Sequence, residues 1–214
     1  RRKMRTTVTI ARELGCGGSA MGQRLAELLS MRCLDREIVS RACEELDWDE
    51  GEVSQREERR SSFWERMLRG IAVSPPDSMY VSTSAPLSMS DEDIFAAETR
   101  VMKEIAERED CVIVGRAASH VLPAHSGMVN LFLHAPLHYR LQRLIERGVV
   151  ADQAEARALI TRSDSSRKTF IAQMTNRVWD EATKYHLCVD TSALPFDDLA
   201  ELLANFVRRK IAAA

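Results

Sequence analysis

The stretch most restrictive of fold is Gly15 to Leu29, GCGGSAMGQRLAELL, which follows a short β-branched run, Thr6 to Ile10. Gly17 and Gly22 enclose Gly18, Ser19, Ala20 and Met21, and from Arg24 onward Leu25, Leu28 and Leu29 recur at helical spacing. A strand, a glycine-rich turn and a helix start together build an anion site. Glycines let several backbone N–H groups point inward, and the helix dipole adds partial positive charge. The spacing is that of a phosphate-binding loop, with Gln23-Arg24 where lysine and a serine or threonine follow the second glycine in the standard pattern. A turn that only joins a strand to a helix uses the same glycines, so the loop by itself leaves both readings open.

At 214 residues, 45% hydrophobic and 29% charged, the chain can bury a substantial core as one domain, with room for a mobile subdomain. Its net charge of −2 gives no global reason to bind nucleic acid or a membrane, so any anion site must gather positive charge locally. Five scattered cysteines without a CxxC pair argue against a zinc site or a disulfide framework. Cys111 and Cys188 lie in apolar runs and read as buried thiols in a reducing compartment. No apolar run approaches the ~20 residues that span a bilayer. RRKMR at the start lacks a following secretory core, so the expected location is cytoplasmic.

In chain order, Thr6 to Ile10 reads as a strand, about Gly22 to Met31 as a helix and Cys33-Leu34 as a second strand. Asp35 is placed to cap a helix that buries Ile38, Val39, Ala42 and Leu46. Trp48 to Arg69 is heavily charged, with Phe63, Trp64, Met67 and Leu68 as a packing stripe. Ser74 to Ser90 is rich in serine and proline, and residues 48–90 read as an insertion that closes over a ligand or makes a homodimer contact. A helix follows from Ser90 or Asp91 to about Glu107. Three apolar runs, Cys111 to Val114, Val129 to Leu133 and Leu187 to Val189, alternate with helices, the pattern of a parallel sheet covered on both faces. Ligands in such sheets bind beyond the carboxyl ends of the strands. The glycine loop, Asp35, Gly115-Arg116 and the segment after Ala135 all fall there.

Leu137 to Arg147 reads as a helix carrying Arg140, Arg143 and Arg147, and Asp152 starts another with Arg157. Then comes Arg162-Ser163-Asp164-Ser165-Ser166-Arg167-Lys168, where Arg162 and Asp164 fall off one helical face, which suggests a local break feeding a site. Such a cluster suits a lid over polyphosphate, and solvated helix arginines are the plainer reading of Arg143, Arg147 and Arg157. His120, His125, His134, His138 and His186 show no repeated ligand spacing apart from His134 and His138, which a proline separates, so no metal-binding residues are expected. Trp64 and Trp179 read as core residues at helical apolar positions.

These pieces in this order resemble the cytidylate kinase-like family, within the P-loop nucleoside monophosphate kinases. The likeness spans nearly the whole chain: Ala11-Arg12-Glu13 with GCGGSAMGQR, LDREIVSR at Leu34 to Arg41, CVIVGRAASHVL at Cys111 to Leu122, NLFLHAPLHYRLQR at Asn130 to Arg143, RSDSSR, and CVDTSALPFDDL at Cys188 to Leu199. The resemblance implies a three-layer α/β/α fold with a five-stranded parallel sheet, a helical lid over residues 148–177 and an acceptor-binding insertion. It implies ATP, with Mg²⁺, as phosphoryl donor. Arg12, Gly17, Gly18, Ser19, Ala20, Met21, Gly22, Gln23 and Arg24 would bind the ATP phosphates. Asp35, Arg36, Arg41 and Arg116 would hold the acceptor, with Asp164 and Arg167 reading its base or sugar. Arg116, Arg162, Asp164 and Arg167 would act in catalysis, and Arg140 and Arg143 in the lid. The chain departs from the family pattern at Gln23 and Arg24, at Ala117 in place of an acid, at Val114 two before Arg116, and at Arg36 in place of a serine. The expected function is ATP-dependent phosphotransfer to a nucleoside monophosphate or another small acceptor, the alternative being a nucleotide-binding module that has lost catalysis.

Overall fold

A computed structural model of the chain describes residues 5–35 and 91–213. Arg36, Arg41, the helix expected after Asp35, Trp64 and the 48–90 insertion lie outside the described residues.

Short apolar runs make the sheet. Strands β1 (Thr7–Arg12), β2 (Arg32–Leu34), β3 (Cys111–Val114), β4 (Met128–His134) and β5 (Leu187–Asp190) are all parallel, in the order β2-β3-β1-β4-β5. The central strand is β1, with Ile10 level with Val114 on one side and Leu131 on the other. The helices among the described residues are α1 (Gly18–Leu29), α2 (Asp91–Arg108), α3 (Ala118–Val121), α4 (Leu137–Glu146), α5 (Gln153–Thr175) and α6 (Phe196–Ala212). A period-two strand sends alternate side chains to opposite faces, and both faces here are covered. Val8, Ile10, Val112, Val114, Leu131 and Leu133 pack with Met21 and Leu25 of α1 and Leu203 and Val207 of α6. Cys111, Ile113 and Met128 meet Val101, Met102 and Ile105 of α2 on the other face. Further along that face Ala11 and Phe132 pack against Ile171 of α5, Trp179 and Tyr185. Helices α4 and α5 form a hairpin sealed by Leu141, Leu144, Ala156, Leu159 and Ile160.

Four expectations change. Helix α1 starts at Gly18, earlier than the leucine spacing indicates, because Gly17 already accepts the Met21 N–H at 3.0 Å. Cys111 is buried, but Cys188 is exposed, since β5 is an edge strand covered on one side only. The helix through Arg162 and Arg167 does not break: α5 runs unbroken for 23 residues, capped by the Asp152 carboxylate, which accepts from the Glu155 N–H. Trp179 is buried as expected, but in the turn after α5 and not on a helix.

Gly22 sets how closely α1 lies on the sheet. A Cβ at this position would sit 2.4 Å from Cγ2 of Val114, a branched side chain fixed in the middle of the sheet. Gly22→Ala should therefore overpack this contact and cost about 1–3 kcal/mol. For a chain of this size that lowers Tm by about 2–12 °C. Thermal unfolding followed by circular dichroism measures it, and an unchanged Tm would mean that Val114 yields freely.

Candidate active site

The carboxyl end of β1 turns sharply into the loop. The Glu13 N–H donates to Leu133 O at 3.0 Å, and the Leu14 N–H donates to Asp164 Oδ1 at 3.0 Å. Gly17, in the left-handed region at φ 85°, caps α1. The first intrahelical bond is the one from Met21, so the amides of Gly18, Ser19 and Ala20 have no acceptor inside the helix; the Gly18 N–H donates to Cys16 Sγ, and those of Ser19 and Ala20 form the open first turn. The loop is tied down from two strands. Cys16 Sγ donates to Leu133 O at 3.5 Å, and Cys16 O accepts from Thr191 Oγ1, just beyond β5, at 2.8 Å. Burial pushes the Cys16 thiol up to about 11, so it stays neutral.

Among the loop residues expected to bind phosphate, Gly17 to Ala20 form this rim. Met21 is core, Gly22 packs on Val114, and the Gln23 side chain is exposed. Arg24 points away from the loop: its Nε lies 3.0 Å from Asp197 Oδ1 and its Nη1 3.1 Å from Glu27 Oε2. Two residues along a helix turn a side chain just past half-way round, which is why Arg24 leaves the loop although it follows it in sequence.

Positive charge comes instead from other elements. Arg12, the last residue of β1, crosses in front of Gly18 and Gly115. A Cβ on Gly115, at φ 79°, would fall 1.8 Å from Arg12 Nη1, so only glycine lets the guanidinium pass. Arg12 Nη2 lies 3.8 Å from Asp35 Oδ1. Burial lowers the Arg12 pKa, Asp35 opposes the shift and the neighbouring Arg116 adds to it. Arg116 follows Gly115 at φ 54°, with Ala117 at φ 57° after it. Left-handed non-glycine residues cost about 1–3 kcal/mol each and persist where the surroundings enforce them. Here the enforcing contact is Glu98 of α2, 6% exposed, whose Oε1 accepts from Arg116 Nη1 at 3.1 Å. Arg167 Nη1 donates to Asp164 Oδ1 at 2.9 Å, and its guanidinium lies 5.8 Å from the Trp179 ring centroid. Burial first, and then the charge of Arg12, push the Arg167 pKa down to about 9, still cationic at neutral pH. Arg143 of α4 reaches the loop from outside, with Nη2 2.8 Å from where a Cβ on Gly17 would stand. An assembly of guanidinium groups from β1, the end of β3, α4 and α5 in front of open amides favours a polyanion.

Other expected residues fall elsewhere. Arg140 is 9% exposed and internal: its Nη1 donates to Asp164 Oδ2 at 2.6 Å and to Leu14 O at 3.3 Å, and its Nε sits 3.5 Å from Glu13 Oε2. Arg162 is exposed on the opposite side of α5 from Asp164, because two helical steps separate them. Asp35 lies beside the loop, its Oδ2 accepting from Ser19 Oγ at 3.4 Å. Glu13, Glu98, Trp179 and Thr191 take part in the arrangement without having been picked out as site residues. Glu98 carries a usable signal, a carboxylate set among Ala97, Val101 and Ile105 on the apolar side of its helix. Among the described residues no group of three or more His, Cys, Asp or Glu is placed to hold a metal ion by itself, and no helix is long and apolar enough to cross a membrane.

This geometry has relatives. The family model described as the cytidylate kinase-like family matches residues 7–193. A curated cytidylate kinase from Methanoregula boonei (strain DSM 21154 / JCM 14090 / 6A8) is 28% identical over 103 residues, 48% of this chain and 56% of that protein, so the match spans just over half of the relative's length. An uncharacterized protein from Eubacterium ventriosum ATCC 27560 superposes with a TM-score of 0.66 at 18% identity, over 95% of this chain and 99% of that one. A gluconokinase from Sinorhizobium meliloti 1021 gives a TM-score of 0.54 at 14% identity, over 99% and 97%. At such identities the two structures speak for the fold, a three-layer α/β/α kinase architecture. The family match covers most of the chain and all five strands, and the chain belongs to the cytidylate kinase-like family.

Proposed function

We propose that this protein transfers the γ-phosphoryl group of ATP to a small acceptor, a nucleoside monophosphate being the first candidate. The observation that carries this reading is the approach of Arg12 to Gly18 and of Arg143 to Gly17 at the start of α1, with Arg116 and Arg167 as charged neighbours of Arg12. The loop lacks its own lysine, and Arg143, lying on Gly17, supplies the charge near the β- and γ-phosphates from outside. The amides of Ser19 and Ala20 hold phosphate oxygens, helped by the helix dipole. Arg116 and Arg167 hold the acceptor anion and the equatorial oxygens of the group in flight, with Arg12 between donor and acceptor. An acceptor oxygen attacks the γ-phosphorus and ADP leaves, with no covalent enzyme intermediate, so positioning and electrostatic stabilisation do the catalysis.

Mg²⁺ takes hard oxygen donors and is commonly bound through one or two carboxylates plus substrate phosphates. The hydroxyl of Ser19 and the carboxylate of Asp35, adjacent at the front of the loop, are donors of that kind and are the residues that would hold it. When bound, the ion neutralises charge on the β- and γ-oxygens. Residues 148–177 serve in this reading as the lid-side element, although Arg140 within the neighbouring helix is an internal strut and not a lid group.

A second reading, a nucleotide-binding module without turnover, is favoured by the outward placement of Gln23 and Arg24. The two readings part on one measurement. ATP consumption in the presence of Mg²⁺, screened against nucleoside monophosphates and small phosphorylated or hydroxylated metabolites, should reveal an acceptor. Binding by calorimetry combined with a blank screen selects the module. For the active enzyme, Arg116→Ala should lower kcat/KM about 10²–10³-fold, as loss of one transition-state donor does elsewhere.

Anion binding has its own signatures. Pyrophosphate at about 100 times its Kd should add about 2.7 kcal/mol of stability. For a chain of this size that raises Tm by about 5–10 °C. Arg143→Ala should weaken ATP binding about 10–100-fold, the loss of one charge-assisted hydrogen-bonding group. Calorimetry with unchanged affinity in that variant would remove Arg143 from the phosphate site.

A further inference from the structure

Resting on the phosphotransfer reading above, the geometry points to Asp164 as a positioning residue that sets Arg167, α4 and the phosphate loop relative to one another, in place of the expected contact with an acceptor's base or sugar. A carboxylate offers about four acceptor positions. Oδ1 of Asp164 takes the Leu14 N–H at 3.0 Å and Arg167 Nη1 at 2.9 Å, and Oδ2 takes Arg140 Nη1 at 2.6 Å. The side chain is only 15% exposed. Three of those positions are taken by two guanidinium donors and a main-chain amide, so an acceptor hydroxyl or amino group is left a single position on the largely buried Oδ2 side.

The three donors come from three elements, and each governs a part of the anion site. Leu14 and Gly15 form the turn that opens the loop. Arg140 lies one helical turn before Arg143 on α4, and its own Cβ and carbonyl oxygen stand 3.0 Å from where a Cβ on Gly15 would be. Arg167 lies one turn after Asp164 on α5 and reaches back along the helix to it. Removing the negative charge therefore loosens the loop entrance and both helices that bring cations to it. Arg140 cannot substitute as the hub, because it carries donors only.

A double-mutant cycle tests this, using Asp164→Asn, Arg167→Lys and the pair, in a chain in which Trp48→Phe and Trp64→Phe leave Trp179 as the only tryptophan. ATP affinity is read by calorimetry, and the setting of Arg167 by Trp179 emission, since the guanidinium lies beside that ring. Each single variant should weaken ATP binding about tenfold or more, and the double variant should be no weaker than the worse single, because the two residues act as one unit. Asp164→Asn should also change Trp179 emission in the same way as Arg167→Lys. Additive losses with unchanged emission in Asp164→Asn would overturn the proposal, since Asp164 would then be acting on the ligand by itself. If the parent chain binds no ATP, the phosphotransfer reading fails and the emission comparison alone decides the role of Asp164. Should Asp164→Asn not fold, Arg140→Lys takes its place in the cycle, with the same expected and contrary results.

Discussion

Like charges must be brought close together for this site to exist, and the surrounding structure answers that demand. Two unit charges 4 Å apart repel by about 4 kcal/mol at an effective dielectric near 20. Arg12 feels both Arg116 and Arg167, and the lowered pKa values of Arg12 and Arg167 record burial together with that repulsion. Three of the guanidiniums are given a carboxylate: Asp35 for Arg12, Glu98 for Arg116, Asp164 for Arg167. The left-handed turn at Gly115, Arg116 and Ala117 persists under the same constraint, because Arg116 reaches Glu98 from it while Arg12 crosses the space that a side chain at 115 would fill. The candidate site is thus built from counter-charged pairs brought close to one another.

The fold was legible because its strands are short, apolar and separated by helical spacing. Cys111 to Val114 and Val129 to Leu133 are bracketed by turn residues, and such runs leave few alternatives to a parallel sheet. Position within the sheet was less legible. Leu187 to Val189 looks as buried as the other runs, yet β5 is an edge, and an edge is defined by the absence of a neighbouring strand, which local sequence does not record. The site was legible as a set of polar residues at strand ends, but not as a set of partners. Arg24, Arg140 and Arg143 have the same chemistry and similar settings, and only the packing of α1, α4 and α5 sends one to the outer surface, one to an internal carboxylate and one to the loop. The spacing of Arg162 and Asp164 suggested a break where α5 is continuous, because a helix can present one residue of such a pair and leave the other in solvent.

In the proposed phosphate site, backbone geometry and side-chain charge are separable parts of recognition. Gly17 and the first-turn amides of α1 keep the cradle, whereas the cation usually carried by the loop has been moved onto neighbouring elements. A lysine in the loop travels with the loop, but Arg143 arrives on α4 and Arg167 on α5, so charge and cradle meet only when those helices are seated. Affinity for phosphate is then a property of how three segments are assembled, and not of one motif.

The Thr191 hydroxyl binds the Cys16 carbonyl from 175 residues further along the chain. β1 and α1 precede it in the chain, yet this one of the bonds that hold their connecting turn waits for β5, whose own pairing needs β4. Contacts of such separation form slowly because their loop-closure entropy is met before any stabilisation is gained. On the ribosome the turn is therefore completed among the last parts of the sheet, and a nascent chain stopped short of Thr191 carries every glycine of the turn while lacking one of its latches.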